Sequence, residues 1–187
     1  MIIETIVSTV NSGGEPNFAP MGFMPLSKEK GLLRPFKSSC TYGNLQRQGV
    51  GVVNLVDDVL LFVETALYSA VPPHLPATSV QAPLLKDATT CYEFKVMDFQ
   101  GDGDPAEVSV ELLACSNRRY FMGFCRASFA VLEATILASR LDYIDADRIV
   151  KSVNHFKGLV EKTGGEREKR AFAMVEEYLQ HEISRHS

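Results

Sequence analysis

Arg34-Pro-Phe-Lys-Ser-Ser-Cys-Thr-Tyr-Gly-Asn44 is the stretch around which the chain is arranged. It leaves an apolar, strand-like run at Gly31–Phe36, passes two cations and a cluster of hydroxyls, and enters a short helix that stops at Gly49. Thr41 reads as the N-cap of that helix. Free N–H groups at a helix start, with Lys37, Ser38 and Ser39 beside them, build an anion site, and phosphate is the anion they suit best. Plain capping and solvation account for the same residues without a ligand, so the stretch by itself leaves both readings open.

Outward towards the N-terminus, Met1–Val10 is rich in Ile, Val and Thr, and Asn11-Ser-Gly-Gly-Glu-Pro16 turns it into a second strand over Asn17–Phe23. Pro20 predicts an edge or a bulge that opens the backbone around Met21 and Gly22 to a ligand; an ordinary bulge explains it equally well. Towards the C-terminus, Val50–Leu55 reads as a strand buried on both faces; Val59–Tyr68 reads as a buried helix or a continuation of the sheet, and Asp58 as a cap favours the helix. The segment Ser69–Lys86, with four prolines, reads as a long loop, either a functional cover, a dimer contact or an excursion with no role.

Thr90–Asp98 and Ala106–Cys115 form a further pair of strands around Gln100-Gly-Asp-Gly-Asp-Pro105. That acidic turn lacks the later glutamate of a calcium loop and reads as a solvated hairpin. Arg126 is the third basic residue assigned to a phosphate or carboxylate, with an exposed ion pair as its alternative. Ser128 reads as the cap of the first of three helices; the second follows Ile149, Val153, Phe156 and Val160, and the third starts at Glu166. The alternating charges of Glu166–Arg170 read as a solvated helix face.

A chain of 187 residues, 45% hydrophobic and 22% charged, is long enough for one domain with a helical annex. Its net charge of -4 argues against a nucleic-acid partner. No apolar run reaches the ~18 residues of a membrane span and no signal peptide is evident, so a cytoplasmic location is expected. Cys40, Cys91, Cys115 and Cys125 lack the spacing of metal ligands and read as reduced thiols. His74, His155, His181 and His186 read as solvated surface positions. Strands first and helices last argue an α+β protein with a small barrel at its centre.

The motifs then become specific. Ile6-Val-Ser-Thr-Val10 followed by Gly14-Glu-Pro-Asn-Phe-Ala-Pro-Met21 resembles the opening hairpin of the flavin-reductase-like split barrels, with Ser38–Thr41 and Asn44-Leu45 as the phosphate segment and helix that follow. Leu33–Ser39, Thr41-Tyr42, Asn54-Leu-Val-Asp-Asp58 and Arg126-Ala127 with Val131-Leu-Glu-Ala134 are similar to one group within them, the uncharacterised FMN-binding split-barrel family of methanogens and methylotrophs. The resemblance implies a split β-barrel over residues 1–127, a C-terminal helical extension over 128–187 packed on it, and a homodimer with FMN at the subunit interface.

By the same resemblance, Arg34, Lys37, Ser38, Ser39 and Thr41 take the FMN phosphate, Asn44 supports the loop, Met21 and Gly22 lie beside the isoalloxazine, and Arg126 closes the phosphate end. The implied function is an FMN-dependent oxidoreductase that passes hydride or electrons to a small acceptor, with a link to pterin-dependent one-carbon metabolism. Cys40, Gly43 and Cys125 stand where the resemblance places further cations and an Asn. That favours the alternative, a non-catalytic module that holds flavin or mediates dimeric interaction. A haem in the same barrel finds no histidine placed as an axial ligand. No residue is required as an acid, base or nucleophile, because the flavin carries the redox step.

Overall fold

The structure, a computed structural model, describes residues 1–186; Ser187 and the side chain of His186 fall outside it, and with them the solvated reading of His186. The chain forms two compact units, one of residues 1–56 and 71–121, the other of residues 57–70 and the chain from 122 onward.

The first unit is built from β1 (Ile3–Val10), β2 (Pro16–Pro25), β3 (Lys30–Leu33), α1 (Cys40–Gln48), β4 (Val50–Leu55), β5 (His74–Pro76), β6 (Pro83–Leu85), β7 (Thr90–Gln100) and β8 (Glu107–Asn117). Its main sheet closes into an antiparallel barrel in the order β1-β2-β3-β8-β7-β4. Closure removes the exposed edges that an open sheet of this length would present. The inward positions of these strands fill the barrel: Val7, Phe23, Leu33, Val53, Phe94, Val108 and Val110 pack together, and α1 adds Leu45. Burial of each aliphatic side chain in such a core contributes about 1.5–3 kcal/mol. Gly51 is required by that packing, since a Cβ there would lie 2.7 Å from the Phe94 ring and 2.9 Å from the Ser8 carbonyl oxygen.

Pro20 does not produce a bulge. The β1–β2 register runs unbroken from Ile3 opposite Phe23 to Val10 opposite Pro16. The edge reading fits better, because β3 pairs only with Phe23, Met24 and Pro25, so the preceding part of β2 has β1 alone as a neighbour and needs no N–H from Pro20 on its other side. The register shifts of the barrel lie in β7–β8, next to Glu93 and Val96.

The Pro-rich segment is also more ordered than a loop. It holds the β5–β6 hairpin, with Pro83, Leu84 and Leu85 buried. The barrel's own side chains receive it. Ser8 Oγ donates to the Pro83 carbonyl at 2.5 Å, and the Leu85 N–H donates to Asn54 Oδ1 at 2.9 Å. Asn54 in turn donates to the Ile6 carbonyl at 2.9 Å, so one buried amide joins β1, β4 and β6. Buried polar groups of this kind must be paired, and here the pairing is the device that docks the hairpin.

The second unit contains α2 (Val59–Leu67), α3 (Arg126–Ala138), α4 (Ala146–Thr163) and α5 (Glu166–His186). Asp58 caps α2 by accepting from the Leu60 N–H at 3.1 Å, and the Arg167 guanidinium pairs with the same carboxylate. The helices bury matching stripes: Ala127, Val131 and Ala134 on α3, Ile149, Val153 and Val160 on α4, Ala171, Val175 and Leu179 on α5. The start of α3 differs from the sequence reading. Cys125, in an extended conformation, is its N-cap, while Ser128 lies inside the first turn and donates to Glu168 on α5 at 3.3 Å. Among the described residues no helix is long and apolar enough to cross a membrane.

Candidate anion and cofactor site

The segment 34–41 lies against the β7–β8 turn, and the two are sewn together residue by residue. Pro35 accepts from the Ala106 N–H at 2.9 Å, the Lys37 N–H donates to Asp104 Oδ1 at 2.9 Å, and Lys37 Nζ donates to the Asp102 carbonyl at 2.9 Å. Arg34 is ion-paired with Glu107. The acidic turn that reads as solvent-facing in the sequence is thus the seat of this segment. One proton of the Lys37 ammonium is engaged, and an ammonium has three to give.

Ser39, not Thr41, caps α1. Its hydroxyl accepts from the Tyr42 N–H at 3.2 Å and donates to the Phe36 carbonyl at 2.7 Å. The helix therefore opens one residue before Thr41, and the N–H groups of Cys40 and Thr41 have no acceptor among the described residues. Thr41 is buried, and its hydroxyl oxygen accepts from Asn17 Nδ2 at 3.1 Å, which directs it into the barrel unit. What Thr41 presents at the helix start is its backbone N–H. Ser38 and Cys40 are exposed beside it.

Asn44 is buried and supports the site from behind. Its Nδ2 donates to Thr9 Oγ1 at 2.9 Å, and its Oδ1 accepts from Arg47 at 3.0 Å. Asn17 Nδ2 also reaches Thr9 Oγ1, at 3.2 Å, so Thr9, Asn17, Thr41 and Asn44 form one network between β1, β2 and α1. The Tyr42 ring meets Phe99 edge-on with centroids 5.6 Å apart, which fixes the outer face of α1 to the end of β7. At the other end of α1, Gly49 adopts φ 68° and closes the helix through its N–H to the Leu45 carbonyl.

Met21 and Gly22 lie on β2 opposite Thr5 and Glu4. The Met21 carbonyl accepts from Thr5 Oγ1 at 2.7 Å, and the Met21 side chain packs on the barrel core. Both residues belong to the part of β2 whose second side carries no strand. Arg126 is the first residue of α3, in the helical unit, and is exposed there. The structure thus brings Arg34, Lys37, Ser38, Ser39, Thr41 and Asn44 together at one helix start, and places Met21 and Gly22 on the neighbouring strand system. Asn17, Thr9, Asp104 and Glu107 are the members that sequence reasoning missed. Asn17 had a signal in the Pro-Asn-x-Ala-Pro motif, but Asp104 and Glu107 are 67 and 73 residues away in sequence from their partners and are brought in by the β3–β8 pairing, so they had none.

The donor set suits a phosphate monoester: the Cys40 and Thr41 N–H groups, which have no acceptor among the described residues, the Ser38 hydroxyl and the Lys37 ammonium all belong to the segment 37–41, at a helix start that favours an anion. The Arg34 guanidinium is available only to the extent that Glu107 shares it.

Comparison with solved structures places the whole architecture. An FMN-bound protein of the same family from Methanosarcina mazei is similar to this chain at 27% identity and a TM-score of 0.79, with 95% of this chain and 94% of that one covered. The barrel alone is shared more widely. A 2-nitrobenzoate 2-nitroreductase of Pseudomonas fluorescens matches at 21% identity and TM-score 0.53, covering 62% of this chain and 64% of that one. An FMN-binding protein of Thermus thermophilus matches at 17% identity and TM-score 0.56, covering 62% and 70%. At that identity the likeness concerns the fold. Residues 3–117 match the N-terminal domain, and residues 125–177 the second domain, of the family described as protein of unknown function DUF447, and the chain belongs to that family.

Proposed function

We propose that this chain is an FMN-binding flavoprotein and works as an oxidoreductase, passing hydride or electrons to a small acceptor of the pterin class. The observation that carries the flavin reading is the near-complete likeness to an FMN-bound member of the family, joined to a phosphate-suited donor set at the start of α1. In this reading Lys37, Ser38, the backbone N–H groups of Cys40 and Thr41, and the part of Arg34 not held by Glu107 bind the phosphate. Ser39 and Asn44 hold the helix start in place through Phe36, Tyr42 and Thr9. Met21 and Gly22 offer the ring the side of the β2 backbone that carries no strand, their other side being paired with β1. FMN, when bound, supplies the redox chemistry; the chain's residues bind, orient and shield it. The assembly is a homodimer with the cofactor at the subunit interface.

A second reading, a module that holds flavin without turnover, is favoured by the pairing of Arg34 with Glu107 and by Cys40 and Gly43 standing exposed where further cations would serve. Stopped-flow reduction of the FMN-loaded protein by NADH and NADPH, followed by reoxidation with a pterin acceptor, separates the two. Reduction and reoxidation over many cycles supports the oxidoreductase. Bound flavin that neither nicotinamide nor a chemical reductant turns over with any acceptor supports the holding module.

A further inference from the structure

The barrel unit carries a cleft of about 770 Å³, one of whose lining residues, Glu4, pairs with Gly22 of β2, at the end of the barrel away from the phosphate segment. It lies where β1 and β7 begin and β4 and β8 end, whereas α1 sits at the opposite ends of the same strands, against Val10 and Phe99. The span of β1 between the two places is roughly 20 Å at the usual strand rise. The volume falls in the range of small-molecule sites, which pair an apolar floor with a few placed polar groups. Ile3, Leu55 and Val56 supply the floor here.

The polar groups are cationic or donors. Two arginines, Arg118 and Arg119, face one carboxylate, Glu4, among the lining residues, a local positive excess on a chain whose net charge is -4. Arg119 Nε is occupied by the Asp87 carbonyl at 3.0 Å. Arg118 is different. Its backbone N–H is anchored to the Thr89 carbonyl at 2.8 Å, while its guanidinium makes no ion pair or hydrogen bond among the described residues. Next to it, Asn117 accepts from Thr90 Oγ1 through Oδ1 at 3.1 Å, which turns its NH₂ group into a donor without a protein partner among the described residues. Tyr120, at the mouth, is 93% exposed, an aromatic face of the kind that stacks on planar ligands.

We propose that this cleft is a second small-molecule site, for a planar organic carboxylate. Its ring rests on Ile3, Leu55 and Val56 and its carboxylate on Arg118 and Asn117, a planar fork matched to a planar anion. The inference goes beyond the flavin reading and does not depend on it.

The test is titration of the ¹⁵N-labelled full chain with benzoate, read by amide chemical shifts, with benzamide as the neutral isostere. Saturable shifts at Ile3, Val56 and Asn117 are expected, at least tenfold weaker with benzamide and at least tenfold weaker in Arg118→Gln, whose thermal midpoint stays that of the wild type. Lys37→Ala leaves the benzoate affinity unchanged. Absence of saturation at those amides, equal affinity in Arg118→Gln, or competitive displacement of benzoate by FMN would each overturn the proposal. A separate FMN titration of the same sample reports on the flavin reading, so the two fail independently.

Discussion

Lys37 and Asn44 sit a few residues apart and play opposite parts. Lys37 is exposed and spends one donor on a backbone carbonyl; Asn44 is buried and bonded at both ends of its amide. Lys37→Ala is therefore expected to weaken FMN binding by about 1.5–3 kcal/mol, the loss of a hydrogen bond from a charged group, with the thermal midpoint nearly unchanged. Asn44→Ala is expected to lower stability by about 1–3 kcal/mol, because it strands the partners that the amide now serves. Flavin fluorescence titration and thermal melts of both variants check the pair. The thiols divide in a similar way. Burial pushes the Cys91 thiol up to about 11, against the opposing pull of the Arg118 guanidinium, whereas Cys40 and Cys115 are exposed. A thiol reagent at neutral pH is expected to label Cys40 and Cys115 in the native protein and Cys91 only after denaturation, which mass spectrometry of the labelled peptides decides.

At the level of elements, the segment between α2 and β7 is held by a carboxylate. Glu93, buried on β7, accepts from the Thr78 N–H at 3.1 Å, the Thr78 hydroxyl at 2.9 Å and the Ser79 N–H at 2.5 Å. Burial alone would raise its pKa, but these hydrogen bonds outweigh burial and hold the carboxyl below its ordinary value. A pKa lowered by folding contributes stability that is fully present above the unfolded carboxylate pKa and is lost as pH falls through the folded one. Unfolding free energies of wild type and Glu93→Gln from urea titration are thus expected to differ near neutral pH by about 1.5–3 kcal/mol and to converge as the solution is acidified through that range. A gap independent of pH would show that the charge of Glu93 is not what holds the hairpin.

The same segment marks where sequence stops being informative. Strands and helices with strong periodicity were legible: Val50–Leu55, the Asp58-capped helix and the three C-terminal helices all lie where apolar spacing puts them. The β5–β6 hairpin was not, because its partners are single polar side chains, Ser8, Asn54 and Glu93, each distant in the chain. The cap of α1 fell on Ser39 because a hydroxyl two residues earlier in a Ser-Ser-Cys-Thr run is equally good in propensity, and only the bond to Phe36 selects it. Likewise the positive side chains of the phosphate segment were legible as residues, but their engagement by Asp102, Asp104 and Glu107 depends on barrel closure.

For the whole molecule, two compact units assembled from interleaved pieces of chain set what a truncation can achieve. The helical unit takes α2 from the middle of the sequence. Removing the chain from residue 122 onward leaves α2, whose Val59, Leu60, Phe62 and Val63 are buried, without the helices it packs with, and that fragment is expected to aggregate or to lose the α2 signal in hydrogen exchange. The measurement that tests the central claim most directly is an FMN titration of the cofactor-free full chain, followed by visible absorption and sedimentation. The account predicts saturable binding with an oxidised-flavin spectrum on a particle of twice the chain's mass, and affinity weakened in Lys37→Ala. A colourless chain that ignores FMN at high concentration would contradict it.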